Sequence, residues 1–403
     1  MNGIYRKCIN RMLICIDALI NYITQKPYCE SKTVVILFQQ IFGDSVVFQS
    51  SLKEYIKLFP KEEGFKIKLL IRPSVLKFMR TTMVLPEDIE YEEVDFKRFL
   101  EDYRYYKCVI KKYMNSVTTL IVPGTSLAAE IFSTANNANR KVAIVRCTDL
   151  IHPVVFALFY KIAYTEKIKP SKFDMMLQRH RLLLNYLGAK EYKAKLPNAI
   201  RYNKIINDDS YVVMCPGSSK LEKCWPIERF SEVADYIVEH YHMNIHLCGG
   251  TDEVHFAKEL INLVKNKDHI ISHIGKTSFE EWSSIVEYAD LVLGNDSATM
   301  HLAVAHRRKA ICITGVYDKN MFFPYKVDEL NEGDRLPVTV LKDMPCEYCR
   351  TIGYDAGYGN KECQKRIKTN QCAICIEKIT VAEIIEQVDK LLKEDREWNE
   401  VIK

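Results

Sequence analysis

The sequence predicts an α/β protein built from two doubly wound parallel-sheet domains, and three observations carry that prediction. Apolar strand-like runs alternate strictly with helical patterns through the second half of the chain, as a parallel sheet covered by helices requires. At 403 residues the chain is too long for one ordinary core, so two domains are the natural division. Short polar loops also follow strand-like runs and precede helices: Cys215-Pro216-Gly217-Ser218-Ser219 with Lys223-Cys224-Trp225-Pro226, and Gly294-Asn295-Asp296-Ser297-Ala298-Thr299-Met300-His301. Such loops aim backbone N–H groups and a helix N-terminus at one point, which suits a phosphate. A nucleotide-diphosphate site is therefore the leading expectation.

Element by element, 4–23 reads as an amphipathic helix with Ile9, Leu13, Ile16, Ile20 and Ile23 at helical spacing and Arg6, Lys7 and Arg11 nearby. It either packs on the domain or lies on an anionic membrane surface. A strand at 33–38, a loop at 39–44 and a helix at about 45–59 follow. Further strands are expected at 66–71, 118–122 and 141–145, with a helix at 126–137; the stretch 73–114 has no clear pattern. In the second half, strands are expected at 211–215, 244–248, 269–274, 291–293 and 310–313. Helices are expected at 227–241, 253–264 and 296–305, and another up to Ala289 behind a capping box at Thr277-Ser278-Phe279-Glu280. The polar stretch 190–210 divides the chain into domains 1–200 and 201–403. The second domain includes a cysteine-rich loop, 344–376, and a C-terminal helix. Every polar loop named lies at a strand's carboxyl end, where ligands bind in such sheets.

A hydrophobic content of 48% and a charged content of 27% belong to a globular chain, and a net charge of +5 permits an anionic partner without implying nucleic acid. No cleavable signal or membrane-spanning run is recognisable, and cysteines such as Cys8, Cys15, Cys248 and Cys312 sit in apolar runs as small hydrophobes. A reducing cytoplasm is the expected compartment, with the inner face of the membrane within reach. There is no G-x-G-x-x-G fingerprint, no Walker A loop and no Asp-x-Asp motif. A diphosphate would be neutralised by Lys223, Ser218, Ser219 and the N–H groups after Asp296, with no divalent ion.

These residues resemble a known family. Pro216-Gly217-Ser218-Ser219, Lys223-Cys224-Trp225-Pro226, Arg229-Phe230, Gly249-Gly250-Thr251-Asp252-Glu253, Gly275-Lys276-Thr277-Ser278 and Asn295-Asp296-Ser297 with His301-Leu302-Ala303 are similar to the heptosyltransferases of glycosyltransferase family 9. In the first half the likeness rests mainly on Gly43-Asp44. The resemblance implies a GT-B fold, two Rossmann-like domains facing across a cleft. It also implies an inverting transfer of heptose from an ADP-activated donor to an anionic glycan, with the lipopolysaccharide inner core as the best acceptor. Asp44 would be the general base and Lys223 would stabilise the leaving diphosphate. Ser218, Ser219, Thr251, Glu253, Asp296, Ser297, Ala298, Thr299 and His301 would line the donor site. The family usually has glycine where this chain has Ala298. Plainer roles exist for each: Asp44 as a helix cap, Lys223 as a solvated loop residue, His301 as a core histidine, Trp225 as packing.

Cys346-Glu347-Tyr348-Cys349 and Cys372-Ala373-Ile374-Cys375, with Cys363 as an alternative ligand, have the spacing of a four-thiolate zinc or iron site. The autotransporter heptosyltransferases resemble this segment, with a cysteine-bound iron. A protein acceptor, a nucleotide-sugar epimerase of similar fold and a non-catalytic binding protein are the rival readings. The basic run Lys66, Lys68, Arg72, Lys77 and Arg80 leans towards a phosphorylated, lipid-linked acceptor.

Overall fold

The computed structural model of the chain describes residues 3–28, 30–145, 154–171, 173–346 and 361–401. They form two compact units, 1–80 with 84–194 and 81–83 with 195–403. The first unit begins with α1 (Gly3–Thr24), β1 (Thr33–Phe38), α2 (Phe42–Gln49), α3 (Leu52–Leu58), β2 (Lys66–Ile71) and α4 (Pro73–Thr82). It continues with β3 (Ile89–Glu93), α5 (Phe96–Glu101), α6 (Tyr103–Tyr113), β4 (Thr119–Val122) and α7 (Leu127–Ala135), and ends with β5 (Arg140–Ile144), α8 (Val154–Ile162), β6 (Glu166–Ile168) and α9 (Met176–Leu187). In the second unit, β7 (Tyr211–Cys215), α10 (Ile227–Tyr241), β8 (Asn244–Leu247), α11 (Val254–Leu263), β9 (Ile270–Ser272) and α12 (Phe279–Glu287) come first. They are followed by β10 (Leu291–Asn295), α13 (Ala298–Ala305), β11 (Ala310–Ile313), β12 (Val338–Val340), α14 (Lys361–Lys368), α15 (Ile374–Glu377) and α16 (Val381–Val401).

Each unit holds one six-stranded sheet, ordered β3-β2-β1-β4-β5-β6 and β12-β11-β10-β7-β8-β9, with every neighbouring pair parallel. Counted within its own unit, each sheet runs 3-2-1-4-5-6, the doubly wound order. Central strands such as Tyr211–Cys215 are buried at every position because helices cover both faces. On one face of the second sheet, Phe230, Val233 and Ile237 of α10 share a core with Ile384 and Val388 of α16. The strand order reverses between β1 and β4, and again between β7 and β10. At these two places adjacent loops run off in opposite directions and leave a crevice at the strands' carboxyl ends.

The sequence reading needs three corrections. The helix expected at 45–59 starts at Phe42 and is two helices, α2 and α3, so Asp44 lies inside the first turn instead of before it. The hydroxyls of Ser50 and Ser51 donate to the carbonyls of Val47 (3.1 Å) and Phe48 (2.7 Å), competing with the helical ladder where it breaks. The capping box is one residue later than expected: Ser278 caps α12 by accepting from the Glu281 N–H (3.2 Å), and the Glu281 carboxylate accepts from the Ser278 N–H (2.7 Å). Within the basic run one charge is already compensated: Lys68 is ion-paired to Glu92 (2.7 Å) and Glu90 (3.0 Å).

One buried charge makes the first unit's stability sensitive to pH. Lys141, on β5, is buried with its ammonium donating to the Ser133 carbonyl (2.7 Å), and burial lowers its pKa from 10.5 to about 8. Between those values the unfolded chain holds a proton that the folded chain has released, so stability gained at this group rises with pH. Lys141→Met should therefore be more stable than wild type at pH 7, on the order of 2–3 kcal/mol. Urea titrations should show that gap closing from pH 8 upward; a gap independent of pH would rule out this account.

Candidate functional site

In the second unit the reversal lies between β7 and β10, and the residues singled out in the sequence meet there. Asn295 ends β10 with its side chain fully buried. Its carbonyl oxygen accepts from the Trp225 N–H (2.9 Å) and its amide donates to the Pro216 carbonyl (2.6 Å). One side chain thus ties both ends of the loop after β7 to the end of β10. Ser218, inside that loop, donates to the backbone carbonyl of Asp296 (2.9 Å). Lys223 stands at the end of a short 3-10 turn, with its ammonium 5.2 Å from the centre of the Tyr317 ring. Burial raises the pKa of the Asp296 carboxyl, and the charge on Lys223 opposes that shift. Ser219 is exposed beside them.

At the start of α13, Ser297 occupies the cap position in extended backbone, and its hydroxyl is buried without a partner among the described residues. Ala298 opens the helix at a half-buried position, and Thr299 is buried beside the Cys215 thiol. First-turn N–H groups of a helix have no acceptor within it, so together with Ser297 they offer donors to an anion. His301, one turn further on, is buried; its Nδ1 is 2.6 Å from the Tyr325 hydroxyl, and Phe322 and Phe323 flank the ring. Burial lowers its pKa to about 3, so the ring is neutral at physiological pH.

Glu253 binds two loops together. Its carboxylate accepts from the Gly250 N–H (2.7 Å), and a Cβ on Gly217 or on Gly249 would lie 2.2 Å or 2.4 Å from its oxygens. Glycine at both positions leaves room for that carboxylate, whose pKa burial raises against the Gly250 hydrogen bond. Thr251 is exposed on the same turn.

The C-terminal segment latches the Lys223 loop from outside. The Ala373 N–H donates to the Glu222 carbonyl (3.0 Å), and the Trp225 indole N–H donates to the Ile379 carbonyl (2.9 Å). Arg229 donates to the carbonyls of Ile379 (2.7 Å) and Glu377. Cys375 packs so tightly on Gly315 that a Cβ there would lie 2.6 Å from its sulfur, and 2.4 Å from the Tyr317 ring. Trp225 is packing, as the plainer reading had it, and also a fastening. Cys363 and Cys375 are buried, Cys346 and Cys372 half-buried, and Cys349 lies outside the described residues. Among the described residues no three His, Cys, Asp or Glu side chains are gathered in a way that would hold a metal ion, so the four-thiolate site is not formed by them.

In the first unit the loops after β1, β2 and β4 converge. Arg72 donates to the Gln39 carbonyl (2.6 Å), and Ser126 bonds the Gln39 side-chain oxygen. The Gln39 side-chain amide nitrogen is buried without a partner among the described residues. Asp44 is half-buried on α2, and its carboxylate reaches back to the Ile41 N–H at 3.3 Å, a long capping bond. The cap that the sequence allowed is there.

Residues 133–339, half of the chain, match the family described as Glycosyltransferase family 9 (heptosyltransferase). The chain belongs to glycosyltransferase family 9. The matched stretch holds the Lys223 loop, Glu253 and Asp296; Asp44 and the cysteine pairs lie outside it. Lipopolysaccharide heptosyltransferase 3 of Escherichia coli K12 is 30% identical over 118 residues, 29% of this chain and 34% of the relative. The lipopolysaccharide core heptosyltransferase OpsX of Haemophilus influenzae is 26% identical over 153 residues, 35% of this chain and 42% of the relative. These matches span about a third to two fifths of the relatives' own length. Among solved structures, a family 9 glycosyl transferase from Veillonella parvula superposes with TM-score 0.65 at 16% identity, over 92% of this chain and all of the other. The E. coli ADP-heptose lipopolysaccharide heptosyltransferase II gives 0.63 at 12%, over 90% and 99%. The iron-containing dodecameric glycosyltransferase TibC from enterotoxigenic E. coli gives 0.54 at 13%, over 92% of this chain and 78% of that one. At these identities the structures establish the shared fold.

The local sequence pattern assigns no role to Asn295, nor to Gln39, Ser126, Tyr317 or the latch at 373–379. A buried asparagine at a strand end beside an acidic loop residue was a signal for the first. The others have none within their own stretch of sequence. For this family 9 member, Asn295→Ala should orphan the Trp225 N–H and the Pro216 carbonyl in the core. Denaturant unfolding should show a loss of roughly 2–4 kcal/mol. A loss under 1 kcal/mol would mean the loop holds itself.

Proposed function

We propose that this chain is an inverting heptosyltransferase, carrying a heptose from ADP-heptose to an anionic glycan, the lipopolysaccharide inner core foremost. The observation that carries the reading is the convergence, at the β7/β10 reversal, of Ser218, Lys223, Asp296 and the open start of α13. Family membership and relatives named for lipopolysaccharide heptosyl transfer support it. Asp44 takes the proton from an acceptor hydroxyl, and that oxygen attacks the anomeric carbon as the bond to the diphosphate breaks. Negative charge then grows on the departing ADP, where Lys223 and the N–H groups and hydroxyl at Ser297–Thr299 are placed to receive it. Thr251 and Glu253 contact the nucleoside, and Ser219 and His301 complete the donor-side lining. The enzyme acts at the inner face of the cytoplasmic membrane.

The cysteines enter as a structural metal. We assign zinc or iron to Cys346, Cys349, Cys372 and Cys375, with Cys363 as the alternative ligand. The all-thiol donor set and the paired C-x-x-C spacing fit such an ion. Bound there, the ion would hold the segment that latches the Lys223 loop. It takes no part in the transfer.

Two experiments test these assignments. Asp44→Asn keeps an oxygen able to cap α2 but cannot accept the proton. It should leave ADP affinity near wild type and abolish transfer, whereas Lys223→Ala should weaken ADP binding about 10–100-fold by calorimetry. Transfer should survive EDTA; a requirement restored by magnesium alone, or near-normal turnover by Asp44→Asn, would defeat the mechanism. Mass spectrometry of lipopolysaccharide and glycoproteins from cells with and without the chain separates a glycan acceptor from a protein one. For the cysteines, elemental analysis should find one zinc or iron per chain, lost together with stability in Cys349→Ser. A metal-free preparation that is folded and active would sink this part of the proposal.

A further inference from the structure

Helix α1 is amphipathic the wrong way round for a helix that serves only its own domain. Ile14 and Ala18, both fully buried, pack on the first unit's core with Cys15 and Leu19 partly buried beside them, and polar residues complete the contacts with α5, α6 and α7. Lys7 pairs with Glu101 (2.9 Å), Asn10 donates to the Glu101 carbonyl (2.8 Å), and Asp17 accepts from Lys107 (2.8 Å) and Tyr103 (3.3 Å). The outward side has no charged residue. Tyr5, Met12, Leu13, Ile16, Ile20 and Ile23 stand exposed there, from 38% for Leu13 to 79% for Ile23. With Ile9, Cys8 and Tyr22 they cover an arc of about 180° at 3.6 residues per turn. Such a contiguous apolar surface marks an interaction site.

We propose that this face of α1 docks on an anionic lipid surface, with the helix axis in the plane of the membrane. Two observations select a membrane as the occupant. A two-helix seam needs only a narrow apolar stripe and places charges on its flanks, whereas here the flanking positions are Leu13, Ile20, Cys8 and Tyr22. An uncharged half-cylinder suits immersion to the depth of an acyl boundary. Around it, Arg6 on α1 and Lys97, Arg104 and Lys111 on the helices beneath are exposed and leave a positive surplus, whereas Lys107 is paired with Asp17 (2.8 Å) and Arg11 with Glu101 (3.5 Å). That surplus is complementary to anionic headgroups, and a second copy pairing symmetrically would set it against itself. The helix lies on the surface and does not span it, since none among the described residues is long and apolar enough to cross a membrane. This inference stands on α1 alone and is independent of the sugar or acceptor proposed above.

Flotation of the full chain with vesicles of phosphatidylglycerol and phosphatidylcholine tests it, beside vesicles of phosphatidylcholine alone and with Ile16→Glu/Ile20→Glu as the variant. Both substituted side chains are exposed, so the variant's melting temperature and ADP affinity should match wild type. Wild type should float with the anionic vesicles, and the double variant should bind at least ~10-fold more weakly. Equal flotation of the two proteins would overturn the proposal. So would a wild type that stays in solution as a dimer or larger assembly which the double variant converts to monomer, since the face would then be an interface between copies.

Discussion

The candidate donor site depends on the two hydrogen bonds of one buried side chain. Asn295 sits at the carboxyl end of β10, where a parallel sheet leaves its last peptide groups without partners along the strand. Its amide answers both ends of the neighbouring loop, the Pro216 carbonyl and the Trp225 N–H. Eight residues between those anchors, including Ser218 and Lys223, are thereby given a fixed span. An aspartate at 295 could not supply the donor, and an aliphatic residue could supply neither bond. The charged residues of the site depend on a neutral one that never meets solvent.

The doubly wound order explains why the chemistry collects where it does in each unit. At the β7/β10 reversal the loops carry a lysine, an acidic residue and a helix start; at the β1/β4 reversal they carry Asp44, Gln39 and Ser126. The same topology thus presents two differently charged crevices. In the second unit Glu253 braces the loops after β7 and β8, and only glycine at 217 and 249 leaves its carboxylate room. Polar groups buried in such an arrangement are set up in advance of any ligand, which is how fixed dipoles act on developing charge.

The C-terminal segment belongs to the site by contact and not by sequence proximity. Three backbone groups between 373 and 379, in four hydrogen bonds, and the rings of Trp225 and Tyr317 link it to the Lys223 loop and the start of α10. Helix α1 makes the opposite kind of statement. It turns Lys7, Asn10 and Asp17 towards its own domain and leaves a row of apolar residues exposed, an arrangement whose cost in water is removed when the face is covered.

Much of the fold could be read directly from the residues. Runs such as Tyr211–Cys215 are buried on both faces, so they are apolar throughout and look like strands in isolation. The motif around Lys223, Glu253 and Asp296 is local, so its residues were legible as a set. The break between α2 and α3 was not, because Ser50 and Ser51 read as ordinary polar positions until their hydroxyls are seen on the preceding carbonyls. Nor could the chain show that Lys68 is neutralised by Glu92, 24 positions away. Local pattern and spacing determined the two parallel sheets, the strand-end loops and the family. Only tertiary structure decided which buried groups hold those loops, which segment latches the Lys223 loop and which face of α1 is outward, because each depends on contacts between residues far apart in sequence.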